Sequence, residues 1–198
     1  MKTKQMYFSK LALGVTPFVF LLLMIACGKK ENSSTSDSTA ITTSSVKPPE
    51  IDLHTAVLTD DLDAVKQHIA ARSNLNENDP FGGSSPLITA SLFGKPEAAK
   101  LLIDAGADIN FQNNDGATAL HTGAFFCRPE IVKMLLENGA DKSLKNKFGA
   151  TAYESVAGPF SDVKNTYDMM GKILGPMGLK LDYAYVEKTR PQIAAILK

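Results

Sequence analysis

Leu101-Leu102-Ile103-Asp104-Ala105-Gly106-Ala107-Asp108 is answered 33 positions later by Met134-Leu135-Leu136-Glu137-Asn138-Gly139-Ala140-Asp141. The same spacing separates Gly83, Gly116 and Gly149, so Gly83-Ser84-Ser85-Pro86-Leu87 aligns with Gly116-Ala117-Thr118-Ala119-Leu120 and Gly149-Ala150-Thr151-Ala152-Tyr153. Between these blocks, Lys95-Pro96-Glu97 aligns with Arg128-Pro129-Glu130. A fixed period of this size marks a stack of identical supersecondary units, none of which can bury its own apolar face alone.

The residues inside each unit read as two helices. Ser85, Thr118 and Thr151 stand before apolar starts and have the side-chain oxygen an N-cap needs; Pro86 suits the first helical position. Thr151 and Glu154 have capping-box spacing. Ala98, Ala99, Leu101 and Leu102 form a broad apolar stripe at helical spacing, as do Ile131, Val132, Met134 and Leu135. Gly106 and Gly139 follow the second stripe, where a left-handed residue ends a helix.

In period and motif the sequence resembles the ankyrin repeat, a turn and two antiparallel helices followed by a loop that projects to the next unit. The resemblance implies an all-α ankyrin-repeat solenoid of about four helix-pair repeats, over residues 51–82, 83–115, 116–148 and 149–182, with a C-terminal cap over 183–198. In the first repeat, Leu53-His54-Thr55-Ala56 holds the helical motif, and Asn76 precedes Asn110 by 34 positions. Gln67 and His68 replace Leu101 and Leu102, which suits a terminal cap with one wet face. In the fourth repeat, Lys172 and Gly178 align with Lys133 and Gly139 at a spacing of 39, predicting a six-residue insertion between its helices near Gly158 to Tyr167. Thr189-Arg190-Pro191-Gln192-Ile193 resembles the start of another second helix, with Thr189 and Gln192 as a capping box, and reads as a C-terminal cap completing the stack.

The amino-terminal quarter is of another kind. Lys2, Lys4 and Lys10 precede the uncharged run Leu11 to Ala26, and Cys27 follows. A basic start, an apolar stretch and a small residue are the layout of a secretory signal; an uncleaved transmembrane anchor is the alternative, although 16 residues containing Gly14 and Pro17 are short for a bilayer core of ~30 Å. Leu23-Met24-Ile25-Ala26-Cys27 resembles a bacterial lipoprotein box, with Met24 where leucine is typical. That resemblance implies a signal peptide over residues 1–26, lipidation (diacylglyceryl and palmitate-type acyl chains) at Cys27, and anchoring in a bacterial cell envelope. Gly28 in place of a retention aspartate favours the outer membrane, with the domain facing the periplasm or the exterior. Residues 27–50 are expected to be a disordered linker, since ten of the thirteen residues from Ser33 to Ser45 are Ser or Thr and such a segment buries too little to offset chain entropy. As flexible coil, the twenty-two residues 28–49 would span roughly 25 Å at ~5–6 Å × √n.

Composition narrows the function. The 198 residues carry 21 basic and 21 acidic side chains, a balance unlike the basic excess of nucleic-acid binders. Removing the signal leaves 18 basic residues against 21 acidic ones, a formal charge of −3. Two cysteines cannot build a disulfide scaffold or a four-ligand zinc site. No metalloprotease, phosphate-loop, nucleophile-elbow or dinucleotide pattern is present, so neither an enzyme, a cofactor nor a metal is expected. The ankyrin resemblance gives His54 and His121 structural hydrogen bonds between repeats. Cys127 occupies the place of Gly94, either as an inert small side chain or, in an oxidising envelope, as a reactive thiol.

Ankyrin proteins bind other proteins through their loop tips and the concave face of their inner helices. Transferred here, these positions give Leu92, Phe93, Phe125 and Phe126 at helix ends and Phe81, Asn114, Asp115, Lys147 and Phe148 at loop tips. Five of the seven phenylalanines after residue 26 fall among them, and a contiguous apolar surface marks an interaction site. The expected role is protein–protein interaction in the envelope, with toxin immunity or support of a stress-defence enzyme as the alternative. The alternative is that the fourth-repeat insertion folds back and covers part of this surface.

Overall fold

The computed structural model describes residues 46–198; the signal peptide, Cys27 and most of the linker lie outside the described residues. Among the described residues every regular element is helical. The first three repeats follow the sequence. Helix α1 (Leu53–Thr59) pairs with α2 (Leu62–Ala70), α3 (Pro86–Phe93) with α4 (Pro96–Asp104), and α5 (Ala119–Phe125) with α6 (Pro129–Glu137).

The caps explain where these helices start and stop. The Asp52 carboxylate accepts from Thr55 N–H, Ser85 Oγ from Ile88 N–H, and Thr118 Oγ1 from His121 N–H. Proline opens α3, α4 and α6, where its missing N–H has no helical partner to lose. Gly94 ends α3 with φ +66°, and Gly106 and Gly139 follow α4 and α6 with φ of +86° and +88°.

Leu53, Leu87 and Leu120 are fully buried at equivalent inner-helix positions, and Ala56, Ala90 and Gly123 let neighbouring inner helices approach closely. Of the two predicted outer stripes, Ala98, Ala99, Leu102, Ile131, Val132 and Leu135 are buried, while Leu101 and Met134 are half-buried. Polar side chains then lock one unit to the next. Asn76 Oδ1 accepts from Asp108 N–H at 2.8 Å and Asn110 Oδ1 from Asp141 N–H at 2.9 Å. His54 lies between Thr89 Oγ1 (3.1 Å) and Glu77 C=O (3.0 Å), and His121 Nε2 donates to Ala150 C=O at 3.1 Å. At the first repeat the expected wet face is only partly wet. Gln67 is exposed and donates to Lys47 C=O, but His68 is buried because Ser73 Oγ and Ile51 C=O satisfy both ring nitrogens.

The fourth repeat is built differently from the expectation. Its inner helix is the short α7 (Glu154–Ala157), opened by the Thr151–Glu154 capping box. Its outer helix is the second half of α9 (Tyr183–Leu197), which packs against α5, α6 and α7, and Ile193 and Leu197 join the core shared by all repeats. Arg190-Pro191 thus stands where Arg128-Pro129 stands, 62 positions earlier, so 29 residues (161–189) are inserted into the 33-residue period. The predicted six-residue insertion near 158–167 is the start of this longer one and is helical: α8 (Phe160–Leu174) is followed by a 3-10 turn (Gly175–Met177) and the first half of α9. Residues 183–198 therefore complete the fourth repeat instead of capping it. Thr189 and Gln192 form no capping box, because α9 already starts at Tyr183 under an Asp182 cap and carries Pro191 in its interior.

Candidate functional site

The loop tips form one hydrogen-bonded strip. In the first, the Asp79 carboxylate accepts from the N–H groups of Phe81 (2.8 Å), Gly82 (2.7 Å) and Ser84 (2.6 Å). Partial burial pushes that carboxyl up, but the Gly82, Phe81 and Ser84 donors outweigh it and hold it below the usual carboxylate range. Asn113 and Asn146 fold the next two tips the same way, Asn113 Oδ1 accepting from Asp115 and Ala117 and Asn146 Oδ1 from Phe148 and Ala150. Backbone bonds join the tips, Asn114 N–H to Gly82 C=O at 3.0 Å and Lys147 N–H to Asp115 C=O at 2.8 Å. On this fixed backbone Phe81 is 90% exposed and Phe148 73% exposed, with Asn114, Asp115 and Lys147 exposed between them.

The helix-end aromatics do not share that surface. Phe126 is buried, and Leu92, Phe93 and Phe125 are half-buried in a second apolar cluster formed with Tyr167, Leu179 and Val186. Tyr167 of α8 stacks on Phe125 with ring centroids 4.5 Å apart, and Phe126 meets both rings edge-on. The expected open ladder is therefore partly covered by the insertion, with Phe126 buried, Phe125 stacked under Tyr167, and Leu92 and Phe93 half-buried at the same cluster. The cover exists because these apolar ends gain more from Tyr167 and its neighbours than from water.

Polar groups fix the cover at one point. The Tyr167 hydroxyl donates to Phe125 C=O at the end of α5 and accepts from Arg190 Nη1 at 3.1 Å. Burial pushes this hydroxyl up to about 12. Arg190, 2% exposed, also donates to Ser155 C=O and Gly158 C=O, while its Nε has no partner. One period earlier Arg128 donates to Leu92 C=O, and its Nε is likewise unpartnered. Both arginines thus serve the free carbonyls at inner-helix C-termini, where the helix dipole favours a cation. Sequence reasoning missed Tyr167 and Arg190 as partners; only the matching Arg-Pro pairs pointed to the second.

Cys127 sits beneath this cluster with φ +55°, the left-handed conformation that Gly94 adopts one repeat earlier. Burial pushes its thiol up to about 11, against the weaker pull of Arg190 and Arg128. The folded protein therefore keeps it protonated at neutral pH, which fits the inert reading. Among the described residues no group of three His, Cys, Asp or Glu side chains is placed to hold a metal ion, and no helix is long and apolar enough to cross a membrane.

A family model described as ankyrin repeats (three copies) matches residues 53–146. A curated ankyrin repeat protein of Rickettsia bellii (strain RML369-C) is 48% identical over 61 residues, which cover 28% of this chain and 8% of that protein. The crystal structure of the ankyrin repeat domain of Bcl-3, described as a unique member of the IkappaB protein family, is similar with a TM-score of 0.51 and 32% identity, covering 52% of this chain and 45% of that one. The chain thus spans less than half the length of either relative. Ankyrin repeats are typically a non-catalytic scaffold for binding proteins. With a 33-residue period, stacked helix pairs and these matches, the chain carries an ankyrin-repeat array, a kind of repeat that in general serves as a protein–protein interaction module.

Proposed function

We propose that this chain is a lipid-anchored envelope protein that captures a protein partner on its loop tips. The observation that carries the reading is the exposure of Phe81 and Phe148 on a strip whose backbone is already hydrogen-bonded. Large aromatics on a pre-organised backbone bury much area at small entropic cost, which is what binding hot spots need. Asn114, Asp115 and Lys147 between them supply polar specificity. Anchoring rests on the lipoprotein-like sequence ending at Cys27.

Photo-crosslinkable side chains placed at Asn114, and at Lys100 on the outer helices as a control, test the surface in whole cells. A crosslinked protein specific to position 114, lost in Phe81→Ser/Phe148→Ser, is the expected result. Equal crosslinking from both positions would remove the loop-tip reading, and the captured protein's identity separates general interaction from toxin immunity or enzyme support. Cys27→Ser should abolish incorporation of a labelled fatty acid into the protein; unchanged incorporation, or none in the unsubstituted protein, would refute lipid anchoring at Cys27.

A further inference from the structure

We propose that residues 161–189 are a hinged cover over the helix-end aromatics that detaches as one unit while the four helix pairs stay folded. The core that runs through all repeats includes Ile193 and Leu197 but no residue of α8. Helix α8 has one fully buried side chain in fifteen residues, Tyr167. Its attachment is therefore confined to a separate cluster, where Tyr167 is its one fully buried side chain and Phe160, Val163, Met170 and Leu174 pack partly buried around it, so the core of the repeats closes without it.

Both ends of the insertion are built to give way. Before it, the extended Gly158-Pro159 link interrupts the helical backbone between α7 and α8. After it, Pro191 lies inside α9 and cannot donate to the Glu187 carbonyl, so the helix has a weak joint where the repeat proper begins.

The interface also contains its own opposing force. Arg190 is buried without a carboxylate, and Nε of both Arg190 and Arg128 lacks a partner. Detachment lets water reach these guanidinium groups, which recovers hydration that burial had removed. Aromatic stacking at Tyr167 holds the cover down while desolvated charge pushes it up, so a low-lying opening is expected beneath global unfolding. Opening bares Leu92, Phe93, Phe125 and Phe126, and it bares the Cys127 thiol, whose Sγ lies 3.7 Å from Val186 C=O of the cover. Closed, the cover withholds that apolar end-face from any partner.

Cys127 is thus a reporter of opening. Labelling with N-ethylmaleimide, followed by mass spectrometry at the Cys127 peptide, is measured across urea concentrations alongside hydrogen exchange of the same protein. The expected result is labelling with a much shallower urea dependence than global unfolding. Amides of α8 should exchange at least about 100-fold faster than those of α3, α5 and Ile193–Leu197. Tyr167→Ala should speed labelling by about tenfold or more without changing exchange in α3 and α5. The proposal is overturned if Cys127 labels only with the steep urea dependence of global unfolding. It is equally overturned if α8, α7 and Ile193–Leu197 exchange together in the unsubstituted protein, since that is fraying of the whole fourth repeat.

Discussion

Replacing Gly94 by alanine tests whether Arg128 is a structural element of the repeat seam. Gly94 has φ +66°, and a Cβ there would lie 2.9 Å from Arg128 Nε and 3.0 Å from its Cζ. Two costs follow. The left-handed conformation costs a residue with a Cβ ~1–2 kcal/mol, of which ~0.4–1 kcal/mol is recovered because alanine restricts the unfolded chain. The net backbone cost is about 1 kcal/mol. The Cβ also displaces the guanidinium, whose Nη2 donates to Leu92 C=O at 3.3 Å. A hydrogen bond from a charged group contributes ~1.5–3 kcal/mol, and its length puts this one at the lower end. Gly94→Ala should therefore destabilise by about 2.5 kcal/mol, of which ~1.5 kcal/mol is the displaced arginine. Urea unfolding followed by circular dichroism, in a cycle with Arg128→Met, separates the two. In the Arg128→Met background the alanine should cost only about 1 kcal/mol. Equal costs in both backgrounds would refute the clash, and with it the view that Arg128 holds the end of α3.

Two further perturbations follow from the seam. Burial holds His121 below its ordinary 6.5, despite the Ala150 and Leu144 carbonyls that favour its protonated form. The unfolded chain thus takes up the proton first, so stability is full above pH ~6.5 and declines as pH falls below it, by at most ~1.4 kcal/mol per pH unit. Urea midpoints between pH 8 and pH 5 should show this decline and His121→Gln should flatten it; an identical slope in the variant would assign the decline elsewhere. Asn110→Ala removes the acceptor for Asp141 N–H and should cost about 1 kcal/mol; a stability unchanged in urea would mean that water replaces the asparagine without loss.

The first three repeats were legible because each uses the same residues for the same physical task. Leu53, Leu87 and Leu120 fill one inner position, Ser85 and Thr118 cap one helix start, and Gly106 and Gly139 make one left-handed exit. The fourth repeat was not legible by that route. Lys172 and Gly178 match Lys133 and Gly139 in residue type, yet they lie in the insertion and just after its 3-10 turn. The true register is carried by Arg190-Pro191, and the usual sign of a helix start there is lost because the chain is already helical from Tyr183. A proline that opens a helix and one that interrupts it look alike in sequence; only the capping residue at Asp182 separates them.

The covered aromatics illustrate a second limit. Periodicity says which positions a repeat presents at its helix ends, but it cannot say whether another part of the chain already occupies them. Phe125 and Tyr167 stand 42 residues apart, and no local pattern links them. Once an insertion bearing Tyr167 is tethered between α7 and α9, its effective concentration at that face is in the ~mM range expected of short linkers. A free partner of equal intrinsic affinity must exceed that to compete, so an apolar face within reach of its own insertion is readily filled from within. No residue of the cover packs against Phe81 or Phe148. The exposed members of the expected aromatic set, Phe81 and Phe148, therefore lie at the loop tips, whereas Phe93, Phe125 and Phe126 at the helix ends are partly or fully buried by the protein's own insertion.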